Sequence, residues 1–104
     1  MTTAWTAVAA ETDLFEGAGI GVQVQGRSIA LFSIEGQAYA TDNYCTHSNA
    51  LLCDGFIEGH EVECPFHQGR FDVRTGQATL LPCTEPVKIW PVKIEGGRVF
   101  LALD

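Results

Sequence analysis

Residues 43–67 read NYCTHSNALLCDGFIEGHEVECPFH, and two short motifs inside this stretch decide the reading. The first is Cys45-Thr46-His47. The second is Cys64-Pro65-Phe66-His67, and sixteen residues separate His47 from Cys64. Each motif offers one thiolate and one imidazole within a single turn, so both can reach one centre from one loop tip. Two such tips make a four-ligand site of two sulfurs and two nitrogens. Zinc accepts that donor set, but its usual spacing groups two cysteines together and two histidines together. Mixed pairs suit a binuclear iron–sulfur centre in which histidines replace cysteines on one of the two irons.

Outward from this stretch the pattern changes to short apolar runs punctuated by glycine. Ile20 to Gln25 alternates, Ser28 to Ile34 is apolar and ends at a Glu35-Gly36 turn, and Ala38 to Thr41 returns. Val87 to Ile94 alternates around Pro91, then turns at Glu95-Gly96-Gly97 into Arg98 to Leu103. Strands of this length with glycine turns predict an antiparallel all-β sandwich or barrel. Pro91 suits an edge position or a bulge. Glu11 to Glu16 is the one stretch with helical character, and it is short. From Asn43 to Pro86 the β pattern is broken by cysteine, histidine, glycine and proline. The expected organisation is one domain over 1–104, with a loop-rich insert over roughly 43–86 carried on a β scaffold.

The chain has 104 residues, thirteen acids and six bases, for a formal net charge of −7. That balance argues against nucleic acid or an anionic membrane as partner. The start, MTTAWTAVAAETD, has no basic region, and no run approaches the roughly 18 apolar residues of a membrane helix. A cytoplasmic location is the expectation. Four cysteines there ask first for a metal or redox role rather than a disulfide framework.

The chain resembles Rieske-type ferredoxins, in particular those of multicomponent aromatic-ring dioxygenases. The matching stretches are Tyr39 to His47, Asp54 to Gly59 and Val62 to Val73, and the likeness runs to Leu103. The resemblance implies an all-β Rieske fold, a β-sandwich base with a small loop-rich cluster-binding subdomain at its tip. It implies one [2Fe–2S] cluster, with Cys45 and Cys64 on the buried iron and His47 and His67 on the outer iron. It also implies that the loop Leu81 to Pro86 covers the cluster, with Pro82 shielding it, and Gln68 beside the second motif joins it as a candidate for shielding or docking. The implied partners are a flavin-dependent NAD(P)H reductase, which supplies the electron, and the Rieske centre of a terminal oxygenase, which receives it. The chain itself is expected to be monomeric.

Neutral imidazole suits the exposed iron, whereas thiolate is charged and easily oxidised. Two thiolates, two sulfides and two ferric ions sum to zero, which eases reduction relative to an all-cysteine cluster. High-potential members of the family carry a disulfide between the loops and two hydroxyl donors after the second histidine. Here the corresponding positions hold Ala50 and Phe66, then Gly69 and Phe71. These departures predict a potential at the low end, near about −150 mV.

Histidine number separates carrier from enzyme. A mononuclear oxygenase iron needs two histidines and a carboxylate. The chain has three histidines, and the cluster would use two, leaving His60. The expectation is an electron carrier without substrate chemistry of its own. Alternatives are the small Rieske subunit of a nitrite reductase, a ferredoxin serving another oxygenase, and a zinc-stabilised interaction module. His60 is expected on the solvated surface, Trp5 and Trp90 in the core, and Cys53 and Cys83 as spare thiols. Asp54, Glu58, Glu61 and Glu63 form a run without a base. It reads as a solvated face or as a steering surface for a basic partner.

Overall fold

The computed structural model describes residues 4–46, 48–66 and 68–103. Eleven strands are described, in three antiparallel sheets. The base contains two of these sheets. Strands β1 (Trp5–Ala10), β11 (Arg98–Ala102) and β10 (Val92–Glu95) lie in the order β1-β11-β10. Strands β2 (Ala18–Val24), β3 (Arg27–Ile34), β4 (Gln37–Asp42) and β9 (Ile89–Trp90) lie in the order β2-β3-β4-β9.

Strand β3 explains its own composition. Ile29 and Leu31 join one core with Ala40, Trp90, Val99 and Leu101, between the two base sheets. Ala30, Phe32 and Ile34 point the other way, into a second core built with the insert. A strand buried on both faces loses the alternation of a half-buried one and becomes a continuous apolar run. The turns follow the sequence. Glu35 and Gly36 both have positive φ, as do Gly96 and Gly97, as the tight two-residue hairpin turns require. Glu16 holds the first turn from outside, its carboxylate accepting from the Glu35 N–H at 2.6 Å and the Gly36 N–H at 3.1 Å.

The insert is more ordered than a loop-rich reading expects. It carries a four-stranded sheet of three-residue strands, β5 (Phe56–Glu58), β6 (Glu61–Glu63), β7 (Arg70–Asp72) and β8 (Ala78–Leu80), in sequence order. Strands so short show no usable periodicity. Their buried residues, Val62 and Phe71, face each other across β6 and β7.

Four other expectations are corrected. Val87 to Ile94 is not one strand: Pro91 has no N–H to donate, and the chain passes there from the second base sheet to the first. The short helical stretch shrinks to a 3-10 turn at Glu11–Asp13. Trp5 is exposed on β1, with the Lys93 ammonium 4.7 Å from its ring centroid, whereas Trp90 is buried as expected. His60 is half-buried, its ring edge-on to Tyr39 at 5.9 Å between centroids. Among the described residues no helix is long and apolar enough to cross a membrane.

Candidate metal centre

Three loops converge at the tip of the insert. The first leaves β4 through Asn43, a buried side chain that works as a clamp. Its Nδ2 donates to Ser28 Oγ at 3.1 Å, and its Oδ1 accepts from the Cys53 N–H at 2.9 Å. Tyr44 then bridges to Leu51, and Cys45 N donates to the Ala50 carbonyl at 2.9 Å, closing a tight loop with Cys45 at its root. Backbone satisfaction of this kind fixes where the Cys45 sulfur points.

The second loop connects β6 to β7. Cys64 N donates to the Gly69 carbonyl at 2.7 Å, and Gln68 N donates to the Cys64 carbonyl at 3.1 Å. Gln68 is exposed and sits at φ +62°, a left-handed turn that brings the chain back. The third loop follows β8 and runs from Leu81 to Pro86. Its Leu81–Pro82 peptide is cis, and Pro82 is half-buried ahead of the buried Cys83.

Side chains tie the loops together. Ser48 Oγ of the first loop lies 3.6 Å from Cys64 Sγ of the second. Cys45 Sγ lies 3.8 Å from Cys83 Sγ of the third. Thr46 Oγ1 donates to the Glu85 carbonyl at 2.8 Å, again joining first loop to third. Gly69 lies against Cys83 so closely that a β-carbon there would overlap the Cys83 sulfur. Burial, then the hydrogen bond with Cys45, pushes the Cys83 thiol up to about 12.

The structure therefore brings Cys45 and Cys64 into one buried core, on the loops named from sequence. All four cysteines are free, so Cys53 and Cys83 do not pair. Cys53 sits apart, near Asp54 and Gly21, and Cys83 stands at the centre itself. His47 and His67 lie outside the described residues. The donor set fits an iron–sulfur group: two buried thiols on adjacent loops, kept out of disulfides and enclosed by apolar side chains. Sequence reasoning missed Ser48 and Asn43. A hydroxyl one residue beyond the first motif and an amide two residues before it were the only signals.

The run of acids is partly neutralised. Arg70 on β7 pairs with Glu58 at 2.8 Å, Glu63 at 3.3 Å and Glu61 at 3.7 Å. Arg74 pairs with Asp72. The loops at the tip also expose large apolar side chains: Phe66 is 68% exposed, Leu81 74% and Leu80 48%, beside polar residues such as Gln68 and Thr84.

A family model described as "Rieske [2Fe-2S] domain" matches residues 4–91. The chain is 52% identical, over the full length of both, to the ferredoxin component of a naphthalene 1,2-dioxygenase system from Pseudomonas putida. Its fold matches the Sphingomonas yanoikuyae B1 ferredoxin with a TM-score of 0.92 and 36% identity, covering 97% of this chain and 100% of that one. It also matches a chain in a complex of reduced oxygenase and oxidised ferredoxin of carbazole 1,9a-dioxygenase, with a TM-score of 0.89 and 36% identity, covering 97% and 94%. These likenesses decide between iron–sulfur and zinc in favour of the former.

Proposed function

Because the chain belongs to the Rieske [2Fe–2S] domain family, we propose that Cys45, His47, Cys64 and His67 hold its cluster and that it is the ferredoxin component of an aromatic-ring dioxygenase system. The two cysteines would hold the inner iron and the two histidines the outer one. When bound, the cluster supplies a one-electron centre with no substrate chemistry of its own. The chain is an electron-transfer component rather than an oxygenase. Its electron would come from a flavin-dependent NAD(P)H reductase in the cytoplasm and go to the Rieske centre of a terminal oxygenase.

One observation carries this reading. Cys45 and Cys64 are buried in one core at the roots of two loops, and the loops around them expose Phe66, Leu80 and Leu81. Burial excludes water from the sulfurs, and the residues next to them in the chain, Thr46 and Pro65, are exposed. A partner can then bring its own cofactor close, which an electron carrier requires. Leu80, Leu81 and Phe66 give that partner an apolar contact. Pro82, behind Leu81, stiffens the cover, and Gln68 sits at its edge.

The test uses the purified full chain. Two irons and two sulfides per chain, with a rhombic low-g EPR signal on reduction, are expected. Added to a reductase and a naphthalene-type oxygenase, it should make ring hydroxylation depend on its own concentration. A colourless chain, or hydroxylation indifferent to it, refutes the proposal.

A further inference from the structure

Among the described residues, each of the two cysteine sulfurs proposed as ligands has a side-chain neighbour able to donate a hydrogen bond, and these neighbours come from different loops. Ser48 Oγ stands 3.6 Å from Cys64 Sγ, and Cys83 Sγ stands 3.8 Å from Cys45 Sγ. A ligand thiolate has no proton to give, so in each pair direction is fixed: the hydroxyl and the third thiol are the donors. Ser48 is oriented for this, since its oxygen also accepts the Ala50 N–H at 3.3 Å, leaving its own proton to point elsewhere. Cys83 is held by its backbone N–H, which donates to the Leu80 carbonyl at 3.2 Å, and by the close approach of Gly69.

We infer that Ser48 and Cys83 are positioning residues that set the reduction potential, each through a hydrogen bond to a different cysteine ligand. The inference rests on the ligand assignment above. Reduction adds negative charge to the cluster, and that charge spreads onto the ligand sulfurs. A donor aimed at a sulfur is worth more when the sulfur is more negative, so each donor favours the reduced state. Positions 69 and 71 carry no side-chain donor, being Gly69 and Phe71. Ser48 and Cys83 supply donors from outside the second motif. The hydroxyl should have the larger effect, because a thiol is a weak donor.

The experiment is an EPR-monitored redox titration of the holoprotein and its variants, with resonance Raman spectra in light and heavy water. Ser48→Ala should shift the reduction equilibrium about tenfold toward the oxidised form, about 59 mV for a one-electron couple. Cys83→Ala should shift it about threefold, about 28 mV by the same constant, and the double variant by about the product. Ser48→Thr keeps the hydroxyl and should stay near the parent value. Deuterium should move the iron–sulfur stretches of the parent, and less so those of the alanine variants. Cys53→Ser, whose sulfur lies by Asp54 and Gly21 and not beside a ligand sulfur, should change neither readout. Should Cys83→Ala lose its cluster, Cys83→Ser decides: a stronger donor at that position should hold or raise the potential, and a fall below the parent overturns the role of Cys83. Parent-like potentials in both alanine variants, with the rhombic signal intact, overturn the inference while leaving the ligand reading standing. Absence of that signal in the parent refutes both.

Discussion

Gly69 shows how little room the centre leaves. Its neighbour is Cys83, whose sulfur, β-carbon and backbone nitrogen all lie where an alanine methyl would go. Backbone cannot yield as a flexible side chain can, so Gly69→Ala must push the second and third loops apart. Overpacking of this kind costs about 1–3 kcal/mol. Here the larger effect should be on cluster retention, because the strained loops carry Cys64 and Cys83. Iron and sulfide per chain should fall well below those of the parent. Full occupancy with parent-like visible absorption would contradict this reading of the glycine. The two motif cysteines were legible from spacing alone. Ser48 was not, because its partner lies sixteen positions away and only folding brings the two together.

Among the elements, the turn joining β7 to β8 depends on one carboxylate. Asp72 accepts the Arg74 N–H at 2.8 Å and two guanidinium N–H groups at 3.1 and 2.9 Å, and its carbonyl accepts the Gly76 N–H at 2.7 Å. The Arg74 guanidinium holds the Asp72 carboxyl below its ordinary value. An acid depressed in the folded state contributes stability that is present above its unfolded pKa and fades as pH falls through the folded one. Asp72→Asn should therefore cost about 1 kcal/mol near neutrality. The gap between the two proteins should close below about pH 4, as thermal midpoints by circular dichroism would register. A gap constant down to strongly acid pH would show that charge has no part in it. At this scale the base strands were largely readable: apolar runs and glycine turns marked β2, β3, β4 and β11. The insert strands were not. Three residues cannot display a period, and from sequence Glu58, Glu61 and Glu63 read equally as a solvated face, a steering face or partners for Arg70, which the structure shows gathering them.

Across the whole molecule, charge and apolar surface have different places. The run of acids from Asp54 to Glu63 read as a solvated face or a steering surface, yet Glu58, Glu61 and Glu63 share Arg70. The loops around the centre expose large apolar side chains, with Leu81 the most exposed of them. Docking there should rest on burial of these side chains. Truncating Leu81 to alanine removes about 1–2 kcal/mol of contact, so the apparent KM for the oxygenase should rise about tenfold. The midpoint potential should stay at the parent value, since the Leu81 side chain is 74% exposed and has no group to donate to a ligand sulfur. A changed potential with an unchanged KM would place Leu81 in the centre rather than at the interface. This apolar exposure was not foreseen from sequence. Phe66 and Leu81 read as ordinary loop residues until the fold set them on one end.

The clamp at the mouth of the insert has a consequence for engineering. Asp42 N donates to the Lys88 carbonyl at 2.9 Å, so the chain leaves the base and returns to it at adjacent positions. The chain between those two points enters and leaves through a single doorway, and it packs on Ala30, Phe32 and Ile34 of β3. A recombinant chimera would need two neighbouring splice sites and a tip whose core fits that face of β3. The fused ends would already be at hydrogen-bonding distance, with no linker to design.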